Sequence, residues 1–301
     1  MTLEEYARCW KKLADGIQPD VYKRQDIREC GSTSGFNTGM SYCPLQPDKV
    51  AGVILVIHGK KLPKELTADA LEEACHADYP DRIYPITGFS EYAVSGGEPN
   101  TTENGYAGSE ITGYSARTDT FTLRKFNLAL QANLVANKDT LFDMYVFDKN
   151  NVIYGEDDGT DELAGFALSG VYPTGQAYDS SGQKAYLAFN AMYSDTEKMM
   201  KNMSVKQAGV NLENVLKGLN YVEFVKMTSP ENTYKLVDHY DRTDLTAYYG
   251  SILSEKASTV VSGASALEYS NGVLTATGGV PVLKSPSILQ TNEVIGIEQW
   301  V

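Results

Sequence analysis

Three histidines, four cysteines and one crowded acidic loop are the places in this 301-residue sequence where metal or nucleophilic chemistry could arise. A neutral imidazole serves as a base or a ligand, so its setting decides its use. His58 ends an apolar run at a Gly59-Lys60-Lys61 turn, a setting that reads as a hydrogen-bonded turn histidine rather than a catalytic one. Cys75 and His76 are adjacent on a predicted helix, so their side chains diverge by about 100° and do not readily share one metal. Cys30, Cys43 and His76 have zinc-binding donor types, but no spacing brings them together. Cys30 and Cys43 could also pair as a disulfide, with buried free thiols as the alternative. His239 stands alone in the C-terminal third.

The stretch Gly31-Ser32-Thr33-Ser34-Gly35 puts a threonine where a nucleophile elbow needs serine, and there is no HExxH, GxSxG or P-loop motif. Glu156, Asp157, Asp158, Asp161 and Glu162 crowd one segment, and such oxygen clusters can hold calcium. Their spacing is not that of an EF-hand. A solvated acidic turn is expected, with a divalent ion or a bridge to a neighbouring subunit as alternatives. Paired carboxylates for glycoside hydrolysis depend on separation in space, which sequence does not show. No residue is therefore assigned a catalytic, cofactor-binding or metal-ligating role, no cofactor is expected, and the chain is read as a non-enzyme. The twenty tyrosines, among them Tyr240, Tyr248 and Tyr249, suit subunit interfaces and sugar platforms as well as ordinary strands.

Lysine and arginine total 26 against 39 aspartates and glutamates, a formal charge of -13. Such a surface repels phosphate backbones and anionic membranes, so neither sequence-specific nucleic acid nor membrane is an expected partner. The longest uninterrupted apolar run, 50–57, is far short of the roughly twenty residues of a membrane-spanning helix. Asp20-Val21-Tyr22-Lys23-Arg24-Gln25 is the translation of GAT GTG TAT AAG AGA CAG, a transposase adapter used in sequencing libraries. Residues 1–25 are accordingly expected to be an assembly artefact, a coincidental basic turn being the alternative. On that reading the authentic start, with any signal peptide, lies upstream of Asp26.

The elements that must position any site follow from periodicity. Residues 26–49 carry turn chemistry and read as an irregular arm. The run 50–57, VAGVILVI, is continuous and β-branched, as a strand buried on both faces would be. Thr67 caps a predicted helix whose Ala70, Leu71, Ala74 and Cys75 form one stripe. A strand over 82–86, a polar loop over 96–113 and a long strand over 120–130, bulged near Arg124-Lys125, follow. Asp148-Lys149-Asn150-Asn151 joins a predicted hairpin, and further strands fit 164–171 and 185–192, with Pro173-Thr174-Gly175 as a turn. Ser194 and Glu197 form a capping box over a helix with Met199, Met200 and Met203 on one face. A strand over 221–227 closes an α+β, mainly antiparallel domain at 26–228. Short strands with an Asn271-Gly272 hairpin then predict an immunoglobulin-like β-sandwich at 229–301.

From Cys30 onward, Gly52-Val53-Ile54-Leu55-Val56, the stretch 141–166 (LFDMYVFDKNNVIYGEDDGTDELAGF) and Val294-Ile295-Gly296-Ile297-Glu298 resemble structural proteins of tailed phages of gut Bacteroidetes. The resemblance covers most of 26–301 and carries no catalytic residues. It implies a virion protein assembled in the host cytoplasm, a homo-oligomeric tail-tube or ring-type subunit that contacts other virion proteins. Acidity also suits a lumen through which DNA slides without sticking. The competing expectation is a bacterial surface or secreted adhesin with a glycan-binding sandwich domain.

Overall fold

A computed structural model of the chain describes residues 47–182 and 184–300. The expected artefact at 1–25 and the arm up to residue 46, with Cys30 and Cys43, lie outside the described residues. The architecture is mainly β with short helices, as expected from the sequence.

The first unit is built on β1 (Val50–Ile57), followed by α1 (Ala68–His76), β2 (Ile83–Thr87), β3 (Phe89–Ser95), β4 (Pro99–Glu103), β5 (Ser109–Tyr114) and β6 (Thr118–Leu123). Then come α2 (Leu128–Ala136), β7 (Phe142–Asp148), β8 (Val152–Asp157), β9 (Leu163–Ala164), β10 (Phe166–Ala177), β11 (Tyr186–Tyr193), α3 (Thr196–Asn202), β12 (Met203–Gln207) and α4 (Leu212–Val215). β1 lies between β2 and β7, antiparallel to both, and Val53, Ile54 and Val56 are fully buried. Its alternate residues feed two cores. Ile54 and Val56 join Tyr145, Phe147, Leu71 of α1 and Leu212 of α4, whereas Val53 and Leu55 join Met144, Phe121, Phe166 and Phe189. The second core is closed by the run β10-β11-β6-β3, reached because β10 pairs first with β7 and then with β11. Helices, one sheet and a second sheet thus stack in three layers.

The predicted hairpin forms at 148–151. Buried Asp148 accepts from the backbone N–H groups of Asn150 and Val152 through Oδ1, and from Asp48 N–H and the Tyr154 hydroxyl through Oδ2. The long strand expected over 120–130 ends instead at Leu123. Asn127 accepts from Leu130 N–H at 2.9 Å and opens α2, so the phase shift at Phe126, Leu128 and Leu130 is the change from strand to helix period. The turn expected at 173–175 is a register shift inside β10. The cap of α3 is Asp195 rather than Ser194, and of the three methionines only Met199 is buried.

The second unit comprises β13 (Asn220–Lys226), β14 (Thr233–Asp238), α5 (Thr246–Glu255), α6 (Ala257–Val260), β15 (Val261–Ser262), β16 (Ala266–Ser270), β17 (Val273–Thr277), β18 (Val282–Leu283), α7 (Pro286–Thr291) and β19 (Ile297–Gln299). Its sheet runs β16-β17-β14-β13-β19, with β13 and β19 parallel. The immunoglobulin-like sandwich is not what residues 229–301 form. One five-stranded sheet packs Val222, Leu236 and Leu274 against Leu253 of α5, Val260 of α6 and Leu289 of α7. Residues 247–249, in the stretch expected to hold only short strands, are helical because Thr246, Tyr249, Gly250 and Leu253 recur at helical spacing and pack inward. Gly250 is required there: a Cβ would sit 2.3 Å from the Tyr269 ring of β16. β13 belongs to this sheet, which therefore begins ahead of Ser229. The facing sheets are in the first unit.

The two units meet through α1 and α7. Buried His76 donates from Nδ1 to Glu72 O at 2.8 Å and accepts at Nε2 from Gly296 N–H at 3.0 Å, which requires the neutral Nδ1–H tautomer. Arg82 donates to both Glu298 carboxylate oxygens, at 2.6 and 3.1 Å, and the Ser287 hydroxyl donates to Asp78 at 2.6 Å.

Candidate assembly site

The strand pair β3 and β6 is one long hairpin whose far end leaves the protein body. Beyond Ser95 and before Thr118 it continues as the two-stranded ribbon β4–β5, paired from Pro99 with Tyr114 to Glu103 with Ser109. Nearly every residue of the ribbon is exposed, and Tyr106, Ile111 and Tyr114 put apolar surface into water. The loop expected over 96–113 is therefore an ordered prong.

Its neck is sharply defined. Gly96 has φ +74°, and a Cβ there would lie 2.0 Å from Ala116 O, so only glycine fits. The Ser115 hydroxyl accepts from Gly97 and Glu98 N–H, at 3.0 and 3.1 Å, and donates to the Glu98 carboxylate at 3.0 Å. Just below the neck, Asp119 is fully buried. It accepts from Arg117 Nε at 2.8 Å, and from the hydroxyls of Tyr92 and Tyr193 at 2.8 Å each. Burial, then the Asp119 charge, pushes both tyrosine hydroxyls well above their ordinary value, so they remain donors. The Arg117 guanidinium also lies 5.4 Å above the Tyr193 ring. These four side chains tie β3, β6 and β11 together where the prong departs. Residue types alone did not reveal them, since they are scattered over a hundred residues. The available signal was Asp119 at an inward position in the alternation with Phe121 and Leu123.

Along the outer face of β3, β6 and β11, from Ala93 and Thr120 to Arg124 and Lys125, lies an open concavity of about 1080 Å³. Small side chains, Ala93, Thr120, Thr122 and Ala188, form its floor; Arg124, Lys125, Lys184 and Phe126 stand around it with Glu91 and Asp179.

Among the described residues, His58, Cys75, His76, His239 and the acidic loop do not come together in one site. His58 donates from Nδ1 to Asp143 at 2.7 Å, and Gly59 N–H donates to the other Asp143 oxygen at 2.8 Å, so the histidine is a hydrogen-bonded turn residue as read. Burial pushes the Cys75 thiol up to about 12, and its side chain points into the first core while His76 faces the second unit. In the acidic loop, Glu156 pairs with Lys198 at 2.9 Å, Asp158 with Lys61 at 2.7 Å, and Asp157 accepts from Gly159 N–H. Although partial burial opposes it, hydrogen bonds from Lys61 and Thr160 hold the Asp158 carboxyl well below its ordinary value. Among the described residues no group of three or more His, Cys, Asp or Glu side chains is placed to hold a metal ion. No helix among them is long and apolar enough to cross a membrane.

The tyrosines of the second unit serve different contacts. Tyr240 joins Tyr221, His239 and Trp300 in an aromatic cluster, with His239 stacked on the indole at 4.0 Å. Tyr249 donates to Ile295 O at 3.0 Å, and Tyr248 projects from α5 into solvent.

No family model matches the chain, and no curated protein matches its sequence. Two solved structures are similar in part. The cap that terminates the tube of the anti-feeding prophage aligns at 10% identity and a TM-score of 0.27, over 57% of this chain and 98% of that one. The extended sheath-tube complex of an extracellular contractile injection system, PVC, aligns at 10% identity and a TM-score of 0.25, over 54% of this chain and 92% of that one.

Proposed function

We propose that this chain is a structural subunit of a tail-like virion assembly, a homo-oligomeric ring or tube component that contacts other virion proteins, rather than an enzyme. The observation that carries the reading is the β4–β5 prong, an exposed two-stranded ribbon rooted in the core through Asp119 and bearing Tyr106, Ile111 and Tyr114. A two-stranded ribbon is marginal by itself in water, and an exposed strand pair with apolar side chains is the kind of surface another chain covers. The sequence resemblance to tailed-phage structural proteins supports the same reading, as does the acidity suited to a DNA conduit.

Light scattering and negative-stain electron microscopy of the full chain over a range of concentrations test it. Rings or tubes of defined copy number are the expected result. A strict monomer at high concentration that binds a glycan array would replace this reading with a secreted adhesin.

A further inference from the structure

We propose that copies of this chain join head to tail, the β4–β5 prong of one copy seating in the concavity on the outer face of β3, β6 and β11 of the next. The inference rests on the assembly reading and names the surfaces that would build it. Prong and socket are different surfaces of the same two strands: the ribbon leaves beyond Ser95 and before Thr118, whereas the socket runs along the outer face from Ala93 and Thr120 to Ser90, Thr122 and Arg124. A contact between them is heterologous, so it propagates from copy to copy and closes as a ring or continues as a tube according to the rotation per step.

Charge selects the pairing. The prong carries Glu103 and Glu110, with Glu98 at its neck, and has no lysine or arginine over 98–116. In the socket Lys184 pairs with Asp179 at 3.2 Å, which leaves Arg124 and Lys125 against Glu91, a net positive patch on a chain of formal charge -13. Shape agrees with charge. The concavity is broad and open, and its floor of alanine and threonine lets a partner backbone approach closely. Phe126, ring-paired with exposed Tyr178 at 5.3 Å, offers the apolar prong residues an aromatic contact at the rim.

Charge reversal on the full chain tests the assignment. The prong variant E103K/E110K and the socket variant R124E/K125E alter exposed side chains only, and circular dichroism checks that each is folded. Each is expected to weaken self-association on the order of 100-fold or more, because like charges now face one another. An equimolar mixture of the two is expected to recover assembly, since each altered surface then meets a complementary one. Variants that associate like the wild type, or a mixture that stays dissociated, would overturn the prong-socket contact while leaving the assembly reading intact. A wild-type chain that never associates overturns both.

Discussion

Among the described residues, many charged side chains are committed to neighbours. Asp119 is the clearest case: a carboxylate with no exposure is tolerable because Arg117, Tyr92 and Tyr193 together supply the donors that water would have supplied. The acidic loop follows the same logic at the surface. The folded-state value of Asp158 lies below that of an unfolded aspartate, so as pH falls the unfolded chain takes up the proton first. The Asp158 contribution is therefore full above about pH 4 and is lost as pH drops through the lower folded value. D158N is expected to destabilise by no more than about 1 kcal/mol at neutral pH, because the pair with Lys61 is partly solvated. Urea unfolding should show the gap between wild type and D158N constant from pH 5 to 7 and shrinking below pH 4. A gap that widened on acidification would contradict the sign.

At the scale of elements, caps and strand pairing set what each segment becomes. Asn127 turns a segment that alternates like a strand into α2, and N127A should cost about 1 kcal/mol, read as a lower urea midpoint with unchanged slope. β1 was legible from sequence because a continuous β-branched run needs no knowledge of its partners, and the 148–151 and 271–272 hairpins were legible from turn chemistry. α5 was not, because Tyr248 and Tyr249 favour strand while the inward packing of Thr246, Gly250 and Leu253 decides for helix. The prong was hidden for a related reason. Apart from Tyr106, Ile111 and Tyr114 its residues are mostly polar or glycine and alternate little, and it is anchored at the Gly96 and Ser115 neck rather than by burial. The prong neck and the concavity were not legible, because they depend on side chains far apart in the chain.

For the whole molecule, the joint between the two units matters most. Arg82 reaches across it to hold Glu298 with two hydrogen bonds, beside the His76 to Gly296 and Ser287 to Asp78 contacts. E298A leaves a largely buried guanidinium without its carboxylate and is expected to cost about 3 kcal/mol, the lower end for breaking such a pair. Calorimetry should then resolve a separate, earlier transition for the second unit, whereas the wild type unfolds with the units coupled. A single unchanged transition would show that the contact is not what couples them. The central strand has a consequence of another kind, in the order of synthesis. β1 is made before every other described strand, yet its partner β7 begins at Phe142, so during translation the β1–β7 pairing waits through most of a domain. Asp48 and Lys49 before it, and Lys60 and Lys61 after it, bracket that wait with charge, as gatekeepers against nascent chains adhering to one another on a polysome.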